Sequence, residues 1–144
     1  MASRVVHGIE VDRIEAAIRA AERRTSAELR VSISRFYFWG DVRRAAAAVF
    51  RRTRMDRTAR RNGVLLFVAP RLHRFAIHAD VGVAAVVDDL FWNEVAARAS
   101  ADFRGGDLTG GLERALAAVA ERLADHFPPQ PTDRNELPDQ VLGA

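Results

Sequence analysis

The sequence predicts a three-layer α/β/α sandwich built on a small mixed β-sheet. Three observations predict it. A strand-like stretch, an amphipathic helix and a second strand follow one another, and such a crossover is right-handed and joins parallel strands. The second of those strands, residues 64–69, is apolar throughout, as a strand covered on both faces must be. A link as short as "PRLH" then joins it to a third strand, which must run antiparallel. Helices lie before, between and after these strands, so both faces of the sheet can be covered.

The elements follow in order. Residues 11–24 form the first helix, with Ile14, Ala17, Ile18 and Ala21 on one face. Thr25-Ser26 breaks it. "AELRVSIS" then alternates, with Leu29, Val31 and Ile33 on one side and Glu28, Arg30, Ser32 and Ser34 on the other, which predicts a half-buried strand. Asp41 is placed to cap a helix over 41–54 whose buried stripe is Val42, Ala46, Val49 and Phe50. Asn62-Gly63 reads as a turn before the central strand. In "RFAIHAD", Phe75, Ile77 and Ala79 alternate with Arg74, Ala76, His78 and Asp80, and Gly82 lets the chain turn sharply afterwards. From Asp88, Trp92, Val95, Ala96, Ala99 and Phe103 keep a helical period; "RGGD" is a loop; over 107–126, Leu108, Leu112, Leu116, Val119 and Leu123 make the last apolar stripe.

One domain is expected over residues 9–127, and 144 residues suffice to bury a real core. Residues 128–144 hold four of the five prolines and little that packs, so they read as a tail or a loosely docked arm. Hydrophobic residues make up 49% and charged residues 28%, the balance of a soluble globular protein. No run of about 18 apolar residues exists, and the first residues lack the apolar block of a signal peptide, so a cytoplasmic protein is expected. The absence of cysteine excludes disulfides and thiolate metal sites. Every one of the 22 basic residues is arginine, which inflates the pI to about 10.7 while the net charge is only +3. The pI is therefore poor evidence for nucleic acid.

Open α/β sheets bind ligands where strands end. Glu28, Asp80, Asp88 and Asp89 lie near such ends, and three or more carboxylates meeting there would hold Ca²⁺ or Mg²⁺ weakly. The competing reading is structural: Asp88 or Asp89 caps the tryptophan helix, Glu28 pairs with an arginine, and Asp80 accepts backbone N–H bonds in its turn. His78 shares a strand face with Asp80, but no nucleophile or second ligand is recognisable beside it, so a structural role is favoured. Arg43, Arg44, Arg51 and Arg54 belong to a stretch of eight arginines between 43 and 61 and read as an anion-binding face or as the solvent side of a helix. Phe50 is the single aromatic residue there and lies on the buried stripe, so no stacking platform for nucleic acid is evident. "FYFWGD" packs four aromatics into one loop, suited to the core or to a partner surface.

Five segments in fixed order carry a family resemblance: "TSAELRV", "NGVLLFVA", "AIHADVG", the tryptophan helix, and "FRGGDLTGGLERAL" before "HFP". Over residues 9–127 the chain resembles the TPM domain family, found in bacterial envelope proteins and in a thylakoid-lumen protein of plants; "NELPD" is similar to a short cytoplasmic-type bacterial branch. The resemblance implies an α/β/α sandwich, a divalent-cation site in some members, weak acid-phosphatase activity in the plant member, and LemA-family or other TPM proteins as partners. It departs from the family in "DVGVAAVVDD": Asp80 stands for a glycine and Ala84 for a glutamate, which weakens any metal site. Three functions follow. The preferred one is a non-catalytic TPM-type binding or interaction domain, envelope or stress related and membrane-associated through a partner. The others are a divalent-metal-dependent phosphatase-like hydrolase and an anion or nucleic-acid binder.

Overall fold

The structure, a computed structural model, describes residues 4–34, 40–130 and 141–143. The protein is mixed α/β, with five helices and two small sheets among the described residues. A hairpin of β1 (Val5–Val6) and β2 (Ile9–Glu10) comes first. His7 (φ 49°) and Gly8 (φ 84°) turn it, the positive-φ pair that two-residue hairpin loops favour. Then follow α1 (Val11–Glu22), β3 (Glu28–Ile33), α2 (Val42–Arg52), β4 (Gly63–Ala69), β5 (Arg74–Ala79), the short α3 (Val81–Ala84), α4 (Asp89–Arg104), α5 (Leu108–Ala124) and β6 (Leu142–Gly143).

The main sheet has the order β5-β4-β3-β6. β3 and β4 are parallel across α2, and β4 and β5 antiparallel across a 3-10 turn at Pro70–Leu72. β4 is therefore an inner strand, and all seven of its residues are buried. Its even residues, Val64, Leu66 and Val68, pack with Leu29, Val31 and Ile33 beneath α1, α4 and α5. Its odd residues, Leu65, Phe67 and Ala69, pack with Ala46, Val49 and Phe50 of α2. The three layers are thus α1/α4/α5, sheet and α2.

Three features differ from the sequence reading. β3 is buried along its whole length, including Glu28, Arg30 and Ser32. It is no edge: β4 lies on one side, and Ser32–Ile33 pair with Leu142–Gly143 on the other. Burial pushes the Arg30 guanidinium below its ordinary value, and the charges of Glu28 and Glu22 oppose that shift. The β1–β2 hairpin was not anticipated; Glu10 N–H donates to Thr109 Oγ1 of α5 at 3.0 Å, and Arg4 pairs with Asp12 and Glu15 of α1. Last, the chain end returns to the sheet at β6, where Leu142 packs against the α2-side core and Val141 against the opposite one. The "FYFW" aromatics, 36–39, lie outside the described residues.

Three of the stretches behind the resemblance, those holding Thr25-Ser26, Asn62 and Phe127, meet at one end of the sheet. Thr25 Oγ1 donates to the Phe127 carbonyl at 2.6 Å, Ser26 N–H donates to the same oxygen at 2.9 Å, and Thr25 Oγ1 accepts from Ala27 N–H at 3.2 Å. Asn62 Nδ2 donates to the Ser26 carbonyl at 3.3 Å, and Glu28 N–H to the Asn62 carbonyl at 3.2 Å. Thr25, Ser26 and Asn62 are all buried, so these bonds replace water that cannot enter. Thr25→Val is expected to cost about 1–2 kcal/mol by urea denaturation, while Thr25→Ser should recover most of it.

Candidate functional site

A cleft of about 400 Å³ runs along the outer side of β5. Its floor is five consecutive strand residues, Phe75 to Ala79; α2 supplies one wall through Val42 and Arg43, and α4 supplies the other through Asp89, Trp92, Asn93 and Ala96. The hollow has a simple cause. On α4 a large Trp92 is followed one turn later by Ala96, so the wall steps back where a long side chain would fill it. A second hollow of about 480 Å³ shares Val42 and Phe75 with the first and adds Leu72, His73, Arg74, Ser100 and Arg104. The two make one groove parallel to the strand.

His78 stands on the groove floor against Phe50, with ring centroids 4.6 Å apart and planes at 57°. Burial pushes its imidazole below the ordinary value; nearby Asp80 opposes the shift and Arg51 adds to it. The unfolded chain therefore binds more protons than the folded one between the two values. Stability is whole above about pH 6.5 and declines as pH falls through the lower folded value. Urea denaturation between about pH 7 and pH 5 checks this; His78→Phe should flatten the profile over that window.

Asp80 is buried and committed. Arg61 grips it with both ends of its fork, Nε to Oδ2 at 2.8 Å and Nη2 to Oδ1 at 2.9 Å. Oδ1 also accepts from Val81 N–H at 2.8 Å, capping α3. Asp88 caps α4 by accepting from Phe91 N–H at 3.2 Å. Asp89 sits in the first turn of α4 on the cleft wall, and Ala84 lines the same cleft. Glu28 and Asp80 flank Gly63 in one cross-strand row, two strand spacings or about 9.5 Å apart at the backbone. Among the described residues no three His, Asp or Glu side chains gather as a group that could hold a metal ion. Capping and pairing, the structural alternative, describe what Asp80 and Asp88 do here.

The arginines separate. Arg43 and Arg44 occupy the first turn of α2, with Asp41 accepting from Arg43 N–H at 2.9 Å. Arg51 lies eight residues on, about 12 Å along the axis. Arg54 follows the helix in the left-handed region at φ 62°. All four are exposed, and only Arg43 lines the cleft. The helical period marks Trp92 and Ala96 only as helix residues and does not single out Asn93; the large-to-small step from Trp92 to Ala96 is the available signal.

Fold and cleft together define a small α/β/α domain with a groove at a sheet edge that no strand of the described residues covers. The TPM domain family model matches residues 3–122, and the chain belongs to that family. The chain is similar to the BA42 protein of the psychrophilic bacterium Bizionia argentinensis, with 34% identity, a TM-score of 0.86, and coverage of 93% of this chain and 92% of that one. The N-terminal domain of a P. gingivalis protein shares the fold at 20% identity and TM-score 0.63, over 78% of this chain and 72% of that one. The N-terminal domain of the Corynebacterium glutamicum cg2496 protein does so at 12% and 0.60, over 91% and 76%. No curated protein sequence matches the chain. No helix among the described residues is long and apolar enough to cross a membrane.

Proposed function

We propose that this TPM domain is a protein-binding module that acts through the groove along β5 and performs no chemistry of its own. The observation that carries the reading is the groove itself: a hollow of mixed lining in which Val42, Trp92 and Ala96 offer apolar contact and Arg43, His78, Asp89 and Asn93 offer polar contact, the combination a recognition site needs. The resemblance makes LemA-family or other TPM proteins the first partners to test, which would also bring the chain to a membrane surface. The experiment is capture of such a partner by the intact chain and by Ala96→Arg, which plugs the groove from a partly buried position. Binding by the first and not the second is expected; equal binding overturns the reading.

The matching family model bears the name TPM phosphatase, which motivates a second reading as a metal-dependent hydrolase. Its site would draw on Glu28, Asp80, Asp88 and Asp89. Because Arg61 already occupies Asp80, calorimetric titration with calcium is expected to show no saturable binding tighter than about 10⁻³ M. p-Nitrophenyl phosphate should not be turned over with calcium or magnesium present. Turnover abolished by Asp80→Asn or Asp89→Asn would establish the hydrolase instead. The anion-binding reading enters the groove through Arg43.

A further inference from the structure

We infer that the groove takes an extended peptide segment as an added strand, antiparallel to β5, with the acidic end of the peptide last. This deepens the protein-binding reading and rests on it.

The backbone supplies the first argument. Asp80 N–H donates to the Gly63 carbonyl at 2.9 Å, so Asp80 and Gly63 are a hydrogen-bonded pair of the antiparallel ladder. Such pairs alternate. In the observed register the next ones are His78 with Leu65, Ala76 with Phe67, and Arg74 with Ala69. The N–H and C=O groups of Phe75, Ile77 and Ala79 therefore point the other way, out of the sheet edge and into the groove. β5 is the end of the strand order, so no strand of the described residues takes them. An open edge of this kind is a template for one more strand. The opposite edge already works so, for Leu142–Gly143 add themselves to β3.

The walls decide what can enter. β5 lies recessed between α2 and α4, so the equally recessed β5 of a second copy cannot reach it, whereas a single extended segment can. Residues added beside Phe75, Ile77 and Ala79 turn toward Trp92 and Ala96; those beside Ala76 and His78 turn toward Val42 and Arg43.

Charge decides the direction. Arg43, Arg74 and Arg104 surround the end of the groove where β5 begins, all exposed and with no ion pair among the described residues. Among the described residues no carboxylate lines that hollow. Asp89 lies at the other end, beside Ala84 and Ala79. An antiparallel strand enters at Asp89 and finishes among the three arginines. A free carboxylate or acidic residues at its C-terminal end match that field.

The test is an NMR titration of the whole chain with a synthetic peptide of alternating valine and threonine ending in two glutamates and a free carboxylate. Controls are a peptide with lysines and a terminal amide at that end, and one N-methylated at every second residue. The Phe75, Ile77 and Ala79 amides are expected to shift and gain protection from hydrogen exchange, while those of Ala76 and His78, already bonded to β4, do not. Both control peptides should bind about tenfold more weakly or worse, as direct bonds and charge pairs are lost. The double variant Arg43→Glu with Arg104→Glu, on exposed positions, should reverse the preference between the glutamate and lysine peptides. The inference is overturned by equal binding of the N-methylated peptide or by indifference to the charge reversal. It is also overturned by protection of the outward amides in the free chain: protection lost on dilution would mean a second copy on the edge, and protection that persists would mean the chain's own residues. Loss of partner capture in Ala96→Arg would still support the broader protein-binding reading in each of those cases.

Discussion

Phe67→Ala and Leu66→Ala are each expected to destabilise the protein by about 2–5 kcal/mol, measured by urea denaturation at neutral pH. The two side chains leave the same strand in opposite directions. Leu66 is fully buried under α1, α4 and α5; Phe67, 2% exposed, is buried against α2. Truncation in an inner strand of a three-layer fold leaves a void whose walls belong to two rigid elements, so collapse is limited and the cost exceeds simple transfer. Ile77→Ala is the comparison. That side chain is only partly buried at the free edge, and its truncation should cost less than either. A cost at Phe67 no larger than at Ile77 would mean that the α2 layer does not seal the sheet.

Gly82→Ala is expected to cost about 3 kcal/mol, the upper part of the usual range for overpacking. An added Cβ would stand 2.3 Å from the Arg60 carbonyl oxygen and 2.6 Å from that of Arg61, both backbone atoms that cannot swing aside. Gly82 N–H also donates to the Arg61 carbonyl at 2.9 Å, so the two segments are tied at the place where they are closest. Since Arg61 holds Asp80, the change should loosen that ion pair as well. Thermal unfolding of Gly82→Ala, Asp80→Ala and the double variant checks this: the double variant should lose less than the sum of the two single losses, because both act on one contact. Full additivity would mean that Gly82 serves only its own turn.

The distinction at Gly82 shows how far sequence reasoning reaches. Asp80 before Gly82 reads as a strand-ending carboxylate before a sharp turn, and a local turn is what forms: Asp80 caps the next amide. Gly82 does not adopt a positive φ, however; its small size is required by backbone from residues 60–61. Nothing near Gly82 in sequence announces that approach. Arg61 is similar. It was one of eight arginines in a basic stretch, and only the fold makes it the partner that occupies Asp80.

Local pattern determined α1, α2, α4 and α5 though not the short α3, the inner position of β4, the parallel and antiparallel pairings and hence the layered fold, because hydrophobic period and link length act over a few residues and admit few topologies. It also placed the cap Asp41 and narrowed a second to Asp88 or Asp89, of which Asp88 serves, since a cap is a contact between a side chain and an amide two or three residues on. The tertiary structure alone decided the burial of the polar face of β3, where Ser32 is paired by Leu142–Gly143 returning from more than a hundred residues away. It alone decided which carboxylates stay apart, since their separation is set by strand spacing across the sheet. The groove too belongs to the assembled fold: no strand of the described residues covers the outer side of β5 because the last strand lies on the other edge, and Arg43, Arg74 and Arg104 share one end of the groove only because α2 and α4 pack on opposite faces of the same strand.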